Sequence, residues 1–312
     1  MKPEISLQIP IRDGGDNFRA CLESLRKQDT GGIHWELIIV DDGSRIPVKD
    51  DFNLNFPGTV DVIVVRLESS GKRSEARNRG WMESSAPISF LSDADIRFPP
   101  DIIRKHLELH RMGCGDVIMG ARVDAWHERA TPWQKWFDTR GMGNRSAGRF
   151  PPRYFVTGNI SLPLSLLEST GGFDIAIDHW GGEDTEIGFR LARKGVSFYW
   201  DPDLRVYHLG IDVTIREHSA KMVEYGKYGI GYILEKIPEA EGLQGTNWIK
   251  PVFSRPANPA TIAMRILVKL ALLRPVYRCV LRWMEIVGKP SFLFTYLSVG
   301  GCLLGLSGRD FE

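Results

Sequence analysis

Apolar strands alternating with amphipathic helices over the first hundred residues predict an α/β fold, a mostly parallel, doubly wound sheet with a helical C-terminal region appended. Three observations carry that expectation. Short β-branched runs at residues 5–9, 37–40, 60–65 and 88–91 are separated by stretches of helical period. The run Leu37 to Val40 is apolar throughout rather than alternating, as strands covered on both faces are. From residue 211 onward the strand-like runs give way to helical, then basic-apolar, periodicity.

The elements follow in order. Residues 5–9 read as a strand that ends at Pro10, and Phe18, Cys21, Leu22 and Leu25 then recur at i, i+3, i+4 and i+7, the spacing of a helix with one buried face. A second strand at 37–40 runs into Asp41, Asp42 and Gly43, and a third occupies 60–65. Residues 71–84 are helical in pattern, 88–91 form a fourth strand, and Pro99-Pro100 opens another helix. Residues 113–210 are rich in glycine and aromatics, with strands expected at 117–119 and 196–200. This divides the chain into a domain over 1–210, with a nucleotide-binding half (1–112) and an acceptor and catalytic half (113–210), and a helical, basic-amphipathic region over 211–312.

At 43% apolar and 25% charged residues the composition is that of an ordinary globular protein, and a formal charge of +1 gives no bias toward nucleic acid. Cys21, Cys114, Cys279 and Cys302 are far apart, without metal-type spacing, and read as buried free thiols. With no signal-peptide pattern before residue 5, a cytoplasmic location is expected. The longest apolar run, 292–306, is 15 residues, short of the ~20 that span a bilayer.

Doubly wound sheets bind ligands at the carboxyl ends of their strands. Two such ends carry paired acids, Asp41/Asp42 and Asp93/Asp95. Residues i and i+2 at a strand end share a side, so Asp93 and Asp95 suit a hard divalent cation on a diphosphate, although an isolated Asp-x-Asp is more often a solvated turn. Asp42 is placed to accept hydrogen bonds from a base or ribose, with Asp41 holding the turn and Gly43 at positive φ. Trp180-Gly181-Gly182-Glu183-Asp184 introduces a helix, where acids also serve as dipole partners. Trp180 has no such role and offers a flat face to a sugar. His208 reads either as a packing residue or as a further metal ligand.

In order along the chain stand Leu7-Gln8-Ile9-Pro10, Val40-Asp41-Asp42-Gly43-Ser44, Ala76-Arg77-Asn78, Asp93-Ala94-Asp95, Thr157-Gly158-Asn159 and Trp180-Gly181-Gly182-Glu183-Asp184. As a set these resemble family 2 glycosyltransferases of the GT-A fold, with a second half similar to galactosyl- and N-acetylgalactosaminyl-transferases, over residues 4–210. The resemblance implies a UDP-sugar donor, with Asp42 on the uracil, Pro10 among the residues walling the base, and Arg77 near the diphosphate or base. It implies that Asp93 approaches the ribose or sugar and assists the metal, that Asp95 and His208 ligate Mn²⁺ or Mg²⁺, and that Gly158 and Asn159 line the donor-sugar pocket. Glu183 binds donor or acceptor hydroxyls, Trp180 the acceptor, and Asp184 is the catalytic base. Arg12-Asp13-Gly14-Gly15 departs from the family pattern at the base pocket.

The implied reaction is an inverting transfer to a hydroxyl of a glycan or lipid-linked acceptor, with a role in polysaccharide synthesis. A helix-start position predicts a low pKa for Asp184. Two other readings stay open: a sugar-nucleotide nucleotidyltransferase, which would release pyrophosphate, and a non-catalytic nucleotide-sugar-binding module. Between residues 261 and 290, six basic residues face one acid, and Pro275 divides two helices. This region, through 306, is expected either to contact the inner face of an anionic membrane peripherally or to pack on the domain or form a homodimer.

Overall fold

The computed structural model describes residues 2–311 except 59, 69–71, 126–130, 140, 141, 143, 144, 211, 212 and 249–258. The first four strands, β1 (Ile5–Ile11), β2 (Trp35–Asp41), β3 (Val60–Arg66) and β4 (Ile88–Ser92), are parallel and lie in the order β3-β2-β1-β4. Between them run α1 (Gly15–Arg26), α2 (Val48–Asp51) and α3 (Arg73–Met82). Alternate residues of β2 face opposite cores: Leu37 and Ile39 pack with Phe18 and Leu22 of α1, whereas Ile38 and Val40 pack with Ala76 of α3. This two-sided burial explains the unbroken apolar run.

Strand β1 does not stop at Pro10 but continues to Ile11, paired with Asp41. Its pairing with β4 ends at Gln8, so Pro10 lies where β1 has a partner on one side only, a position that tolerates proline.

After β4 come β5 (Ile96–Arg97), α4 (Ile102–Arg111), β6 (Val117–Asp124), α5 (Pro132–Thr139), β7 (Gly148–Arg149), β8 (Asn159–Pro163), α6 (Leu164–Thr170), α7 (Glu183–Arg193) and β9 (Phe198–His208). Here the sheet becomes mixed. Strand β8 is antiparallel to β4 and β6, β6 is parallel to β9, and the short β5 and β7 are antiparallel to β9. Strand β9 is much longer than the expected run at 196–200 and ends on His208. A register shift between Gly120 and Arg122 lets β6 pair with Phe198–Asp201 and again with Val206–His208, accommodating the Asp201-Pro202-Asp203 interruption.

Beneath the sheet junction lies a buried polar chain. Asn159 donates to the carbonyls of Ala121 (3.0 Å) and Leu204 (2.8 Å), so its Oδ1 accepts from His106 Nε2 (2.9 Å). His106 Nδ1 then accepts from Ser161 Oγ (2.8 Å), which in turn accepts from His110 Nε2 (2.8 Å). Burial holds both imidazoles neutral, at about 3 for His106 and about 4 for His110.

The C-terminal helices are α8 (Ile215–Glu224), started by a Thr214/Glu217 capping box, then α9 (Ile230–Lys236), α10 (Pro259–Ala271), α11 (Arg274–Val287) and α12 (Phe292–Leu306). Pro275 stands in the first turn of α11, as expected of a divider. Most of the apolar run 292–306 packs inside the helical region: Phe294, Leu297, Cys302, Leu303 and Leu304 are buried. A Cβ on Gly226 would strike the Cys302 carbonyl and one on Gly305 the Val223 carbonyl, so α12 meets α8 and the turn after it backbone to backbone. No helix of the described residues is long and apolar enough to cross a membrane. Of the cysteines, Cys21 and Cys302 are buried as expected and Cys114 is half-buried, but Cys279 is exposed on the outer side of α11.

Both imidazoles are depressed in the folded state relative to ~6.5 in the unfolded chain, so unfolding takes up protons below that value. The stability they confer is complete above about pH 6.5 and is lost as pH falls toward about 4. Chemical denaturation from pH 8 to 4.5 should show this decline, and His110→Gln, which keeps a donor without a titrating ring, should flatten it. Asn159→Ala should cost about 2 kcal/mol or more at pH 7.5, because three buried partners lose their bonds.

Candidate functional site

The carboxyl ends of the strands open into a cleft of about 1450 Å³, large enough for two substrates at once. Its wall includes Pro10, Ile11 and Asp42, then Arg77, Asp93, Asp95 and His208, and also Trp180, Glu183 and Asp184. Nine of the positions expected from sequence therefore share one cavity. Two do not. The Asn159 side chain is turned into the sheet, consumed by the polar chain described above, and does not line a sugar pocket. Gly158 lies behind Asp93, where an added Cβ would sit 3.0 Å from Asp93 Oδ2.

After β2, Asp41 fixes the turn. Its carboxylate accepts from Ser44 N–H (2.8 Å), Val48 N–H (3.1 Å) and Arg66 (2.6 Å). Burial opposes its charge, but these donors outweigh it and hold the pKa below the usual range. Gly43 follows at φ 70°, as expected, leaving Asp42 at the cleft surface.

The two acids after β4 have separate tasks. Strand β5 pairs Ile96 with His208, which brings His208 Nε2 to 3.1 Å from Asp95 Oδ2. Asp95 Oδ1 is buried without a hydrogen-bond partner, and a Cβ on Gly210 would lie 2.7 Å from His208 Nε2 and 2.9 Å from Asp95 Oδ2. An orphaned carboxylate oxygen beside an imidazole, under a backbone with no side chain in the way, fits a divalent cation. Burial works against the Asp95 charge, yet His208 and Arg122 keep its pKa low. Asp93, expected beside it as a further metal ligand, is occupied otherwise: Arg122 holds Oδ2 at 2.9 Å and Arg77 approaches Oδ1 at 3.3 Å. Among the described residues no three His, Cys, Asp or Glu side chains converge on one metal position.

Arg77 is the hub. Only 9% of its side chain is exposed, and Glu183 Oε1 lies 3.5 Å away on the side opposite Asp93. Burial disfavours its charge, but Asp184, Asp93 and Glu183 raise its pKa regardless. Glu183 and Asp184 begin α7 after Gly181 and Gly182, at φ 87° and 107°. The N-cap is Gly182, without a side-chain cap, so neither acid is a capping residue. Thr157 pins Asp184, its N–H 3.1 Å from Oδ2 and its Oγ1 3.1 Å from Oδ1.

The expected low pKa of Asp184 is overturned. Burial comes first and the Asp93 charge adds to it; together they outweigh Arg77 and Thr157, and the pKa is raised. Glu183 is raised likewise, by burial and by Asp184. Glu183 Oε2 has no hydrogen-bond partner.

Trp180 lines the cleft with Lys221 Nζ 5.8 Å from its ring centroid. Thr157 and Arg122 gave no distinct signal in sequence beyond Thr157 preceding Gly158. The sequence division at residue 210 also missed part of the wall, since Lys221, Met222 and Tyr225, together with Thr295 and Ser298 of α12, face the cleft. A separate groove of about 1220 Å³ borders α3, α6 and α7, but its buried acid Glu186 is neutralised by Arg190 at 2.6 Å.

The model of the family described as glycosyl transferase family 2 matches residues 6–173, more than half of the chain, and that of the N-terminal domain of galactosyltransferase matches 144–220. Chondroitin synthase of Escherichia coli is 41% identical over 238 residues, 65% of this chain and 34% of that one. Validoxylamine A glucosyltransferase of Streptomyces hygroscopicus subsp. limoneus is 26% identical over 222 residues, 62% and 49% of the two chains. The chain thus spans about half the length of the latter relative and about a third of the former. Among solved structures, the mannosyltransferase PcManGT from Pyrobaculum calidifontis, in complex with GDP-Man and Mn²⁺, superposes with a TM-score of 0.60 at 14% identity, over 99% and 89% of the chains. S. aureus TarS 1-349 in complex with UDP gives 0.53 at 14% identity, over 98% and 90%. These likenesses show the GT-A fold.

Removing the hub should expose the carboxylates to one another. Arg77→Met is expected to cost about 3 kcal/mol at pH 7.5, since three acids lose a buried cation. Acids with raised pKa values hold protons in the folded state that the unfolded chain has released, so their penalty grows as pH rises through the folded values and fades below them. Denaturation of the variant at pH 7.5 and pH 5 should therefore show the smaller loss at pH 5.

Proposed function

The chain belongs to glycosyl transferase family 2, and from that premise we propose that it is an inverting, metal-dependent enzyme moving a sugar from a UDP-sugar to a hydroxyl of a glycan or lipid-linked acceptor. The observation that carries the proposal is the gathering of an Asp95–His208 pair and a Thr157-pinned Asp184 in a single cleft. In this reading residues 1–112 hold the nucleotide, 113–210 supply the base, and the helices after 211 close the cleft.

Asp42, beside Pro10 and Ile11, accepts from the base N–H. The uridine assignment draws on this acceptor geometry and on the UDP carried by TarS 1-349; the GDP-Man of PcManGT makes the guanosine donor the comparison to run. Asp95 and His208 would hold Mn²⁺ or Mg²⁺, which when bound supplies neutralisation of the charge growing on the departing diphosphate. Arg77, buried and fixed by Asp93 and Glu183, adds a second positive charge that needs no reorganisation.

The acceptor hydroxyl is a weak nucleophile at neutral pH, so a base must take its proton as the new bond forms. Asp184 suits that task. Its raised pKa makes it a stronger base than a solvated aspartate, and the Thr157 bonds aim its oxygens. With one carboxylate acting on the acceptor face, displacement is direct and the anomeric configuration inverts. Trp180 offers its ring to the acceptor sugar, and Glu183 Oε2, without a protein partner, is available to a sugar hydroxyl.

UDP release from a panel of UDP-sugars and GDP-mannose, with Mn²⁺ or with EDTA, tests the proposal. One UDP-sugar should be hydrolysed slowly in the presence of metal and not with EDTA, and with acceptor the product anomer should be inverted by NMR. Asp184→Asn should retain donor binding and lose ~10²–10⁴ in turnover, while Asp95→Ala should weaken metal-dependent donor binding itself. Wild-type turnover by Asp184→Asn, or pyrophosphate in place of UDP, would sink the assignment. Because the pKa of Asp184 is raised, the acid limb of kcat should lie above that of an ordinary aspartate.

A further inference from the structure

Helices on the surface of a soluble protein bury an apolar stripe and turn polar residues outward. Helix α11 obeys the first half of that rule, burying Tyr277, Leu281 and Met284. It breaks the second half, since Trp283 is 55% and Ile286 86% exposed on its outer side. Helix α10 departs further. It turns Val268 toward the helical core, yet leaves Ile262, Met264, Ile266, Leu267 and Leu270 about half exposed. The two helices are held to α12 from below, where Leu272 and Tyr277 pack on Gly300 and Tyr296 Oη donates to the Ala271 carbonyl. Nothing in the described chain covers their outer surface, and apolar exposure on this scale marks a surface that is covered in use.

Charge identifies the cover. Lys269, Arg278, Arg282 and Lys289 are exposed around the apolar side chains. The one acid of the stretch, Glu285, is engaged by both arms of Arg216 at 2.8 Å. A two-fold contact with a second copy would set this cationic face against itself, and the acids beside it among the described residues, Glu285 and Asp310, are already paired with Arg216 and Arg274. An anionic lipid surface supplies both an apolar layer and negative headgroups. At 13 and 14 residues the helices are too short to span and are suited to lie in the interface.

We propose that α10 and α11 dock the protein on an anionic membrane surface, inserting Ile266, Leu267, Leu270, Trp283 and Ile286 while Lys269 and Arg282 meet the headgroups. Helix α12 takes no part in the insertion and ties the docked pair to the cleft wall through Thr295 and Ser298. The proposal does not depend on the transfer reaction.

The test is flotation of the full chain with phosphatidylcholine vesicles, with or without phosphatidylglycerol, alongside sedimentation without lipid. The chain should float with the anionic vesicles, less so with phosphatidylcholine alone, and less at high salt. Leu267→Glu with Trp283→Glu should weaken binding at least ~10-fold, and Lys269→Glu with Arg282→Glu should abolish the preference for phosphatidylglycerol. These positions are exposed, and circular dichroism checks that the variants fold. Three results overturn the proposal: no flotation of the wild type, flotation of the glutamate variants equal to it, or a wild-type dimer that ignores vesicles and dissociates in Leu267→Glu/Trp283→Glu, which would assign the face to a second copy. No turnover is involved, so each of these leaves the transferase reading standing.

Discussion

Arg77 lies almost wholly buried, and its guanidinium is within reach of three carboxylates that come from different parts of the chain: Asp93 after β4, and Glu183 and Asp184 at the start of α7. Without a fixed cation, two buried adjacent acids and a third nearby would protonate or move apart. The arginine lets them remain close. Their number, in turn, outweighs the burial that would otherwise disfavour the guanidinium. Helix α3 therefore does more than connect two strands. It brings Arg77 between the acid after β4 and those at the head of α7, and Asn78, one residue on, ties the same helix to the Phe173 carbonyl at 2.8 Å.

The cleft depends as much on helices that follow the sheet as on the sheet itself. Gly181 and Gly182 adopt positive φ because they carry no Cβ, and that same lack lets Tyr225 and Ile233 pack directly over them at the entry to α7. Tyr225 begins the irregular turn between α8 and α9, and that turn is set by the contact of Gly226 with α12. A chain of close contacts thus runs from α12 through the turn to the acids at the head of α7. The basic-apolar region that looked separable in sequence is continuous with the site.

Much of this was legible from residue pattern alone. The parallel character of the first four strands, the burial of Phe18, Cys21, Leu22 and Leu25, and the acids at two strand ends all follow from residue pattern, which reports local burial. What was missed arises from pairing between distant segments. His208 belongs to a strand more than twice the expected length, because β6 re-registers around Asp201-Pro202-Asp203, and no local propensity reveals such a shift. Asn159 looked like a sugar ligand for its place in a motif, but its three partners, Ala121, Leu204 and His106, come from three other elements. The pKa of Asp184 was misjudged for a similar reason. The helix terminus was visible in sequence, while the burial and the neighbouring Asp93 were not.

The separation of Asp93 from Asp95 bears on how charge is distributed in the cleft. Two acids at i and i+2 invite the idea of a shared cation, and a solvated strand end would permit it. Here Arg122 and Arg77 already neutralise Asp93, whereas Asp95 keeps one oxygen without a partner and the other facing His208. A divalent ion placed beside Asp93 would meet two guanidinium groups within a few ångströms, and like charges at that range repel. Beside Asp95 and His208 it would meet a carboxylate and an imidazole. The arginines therefore do two things at once. They hold Asp93 as a fixed, neutralised carboxylate in the cleft wall, and they confine the position favourable to a cation to the side of the cleft where β5 and β9 pair.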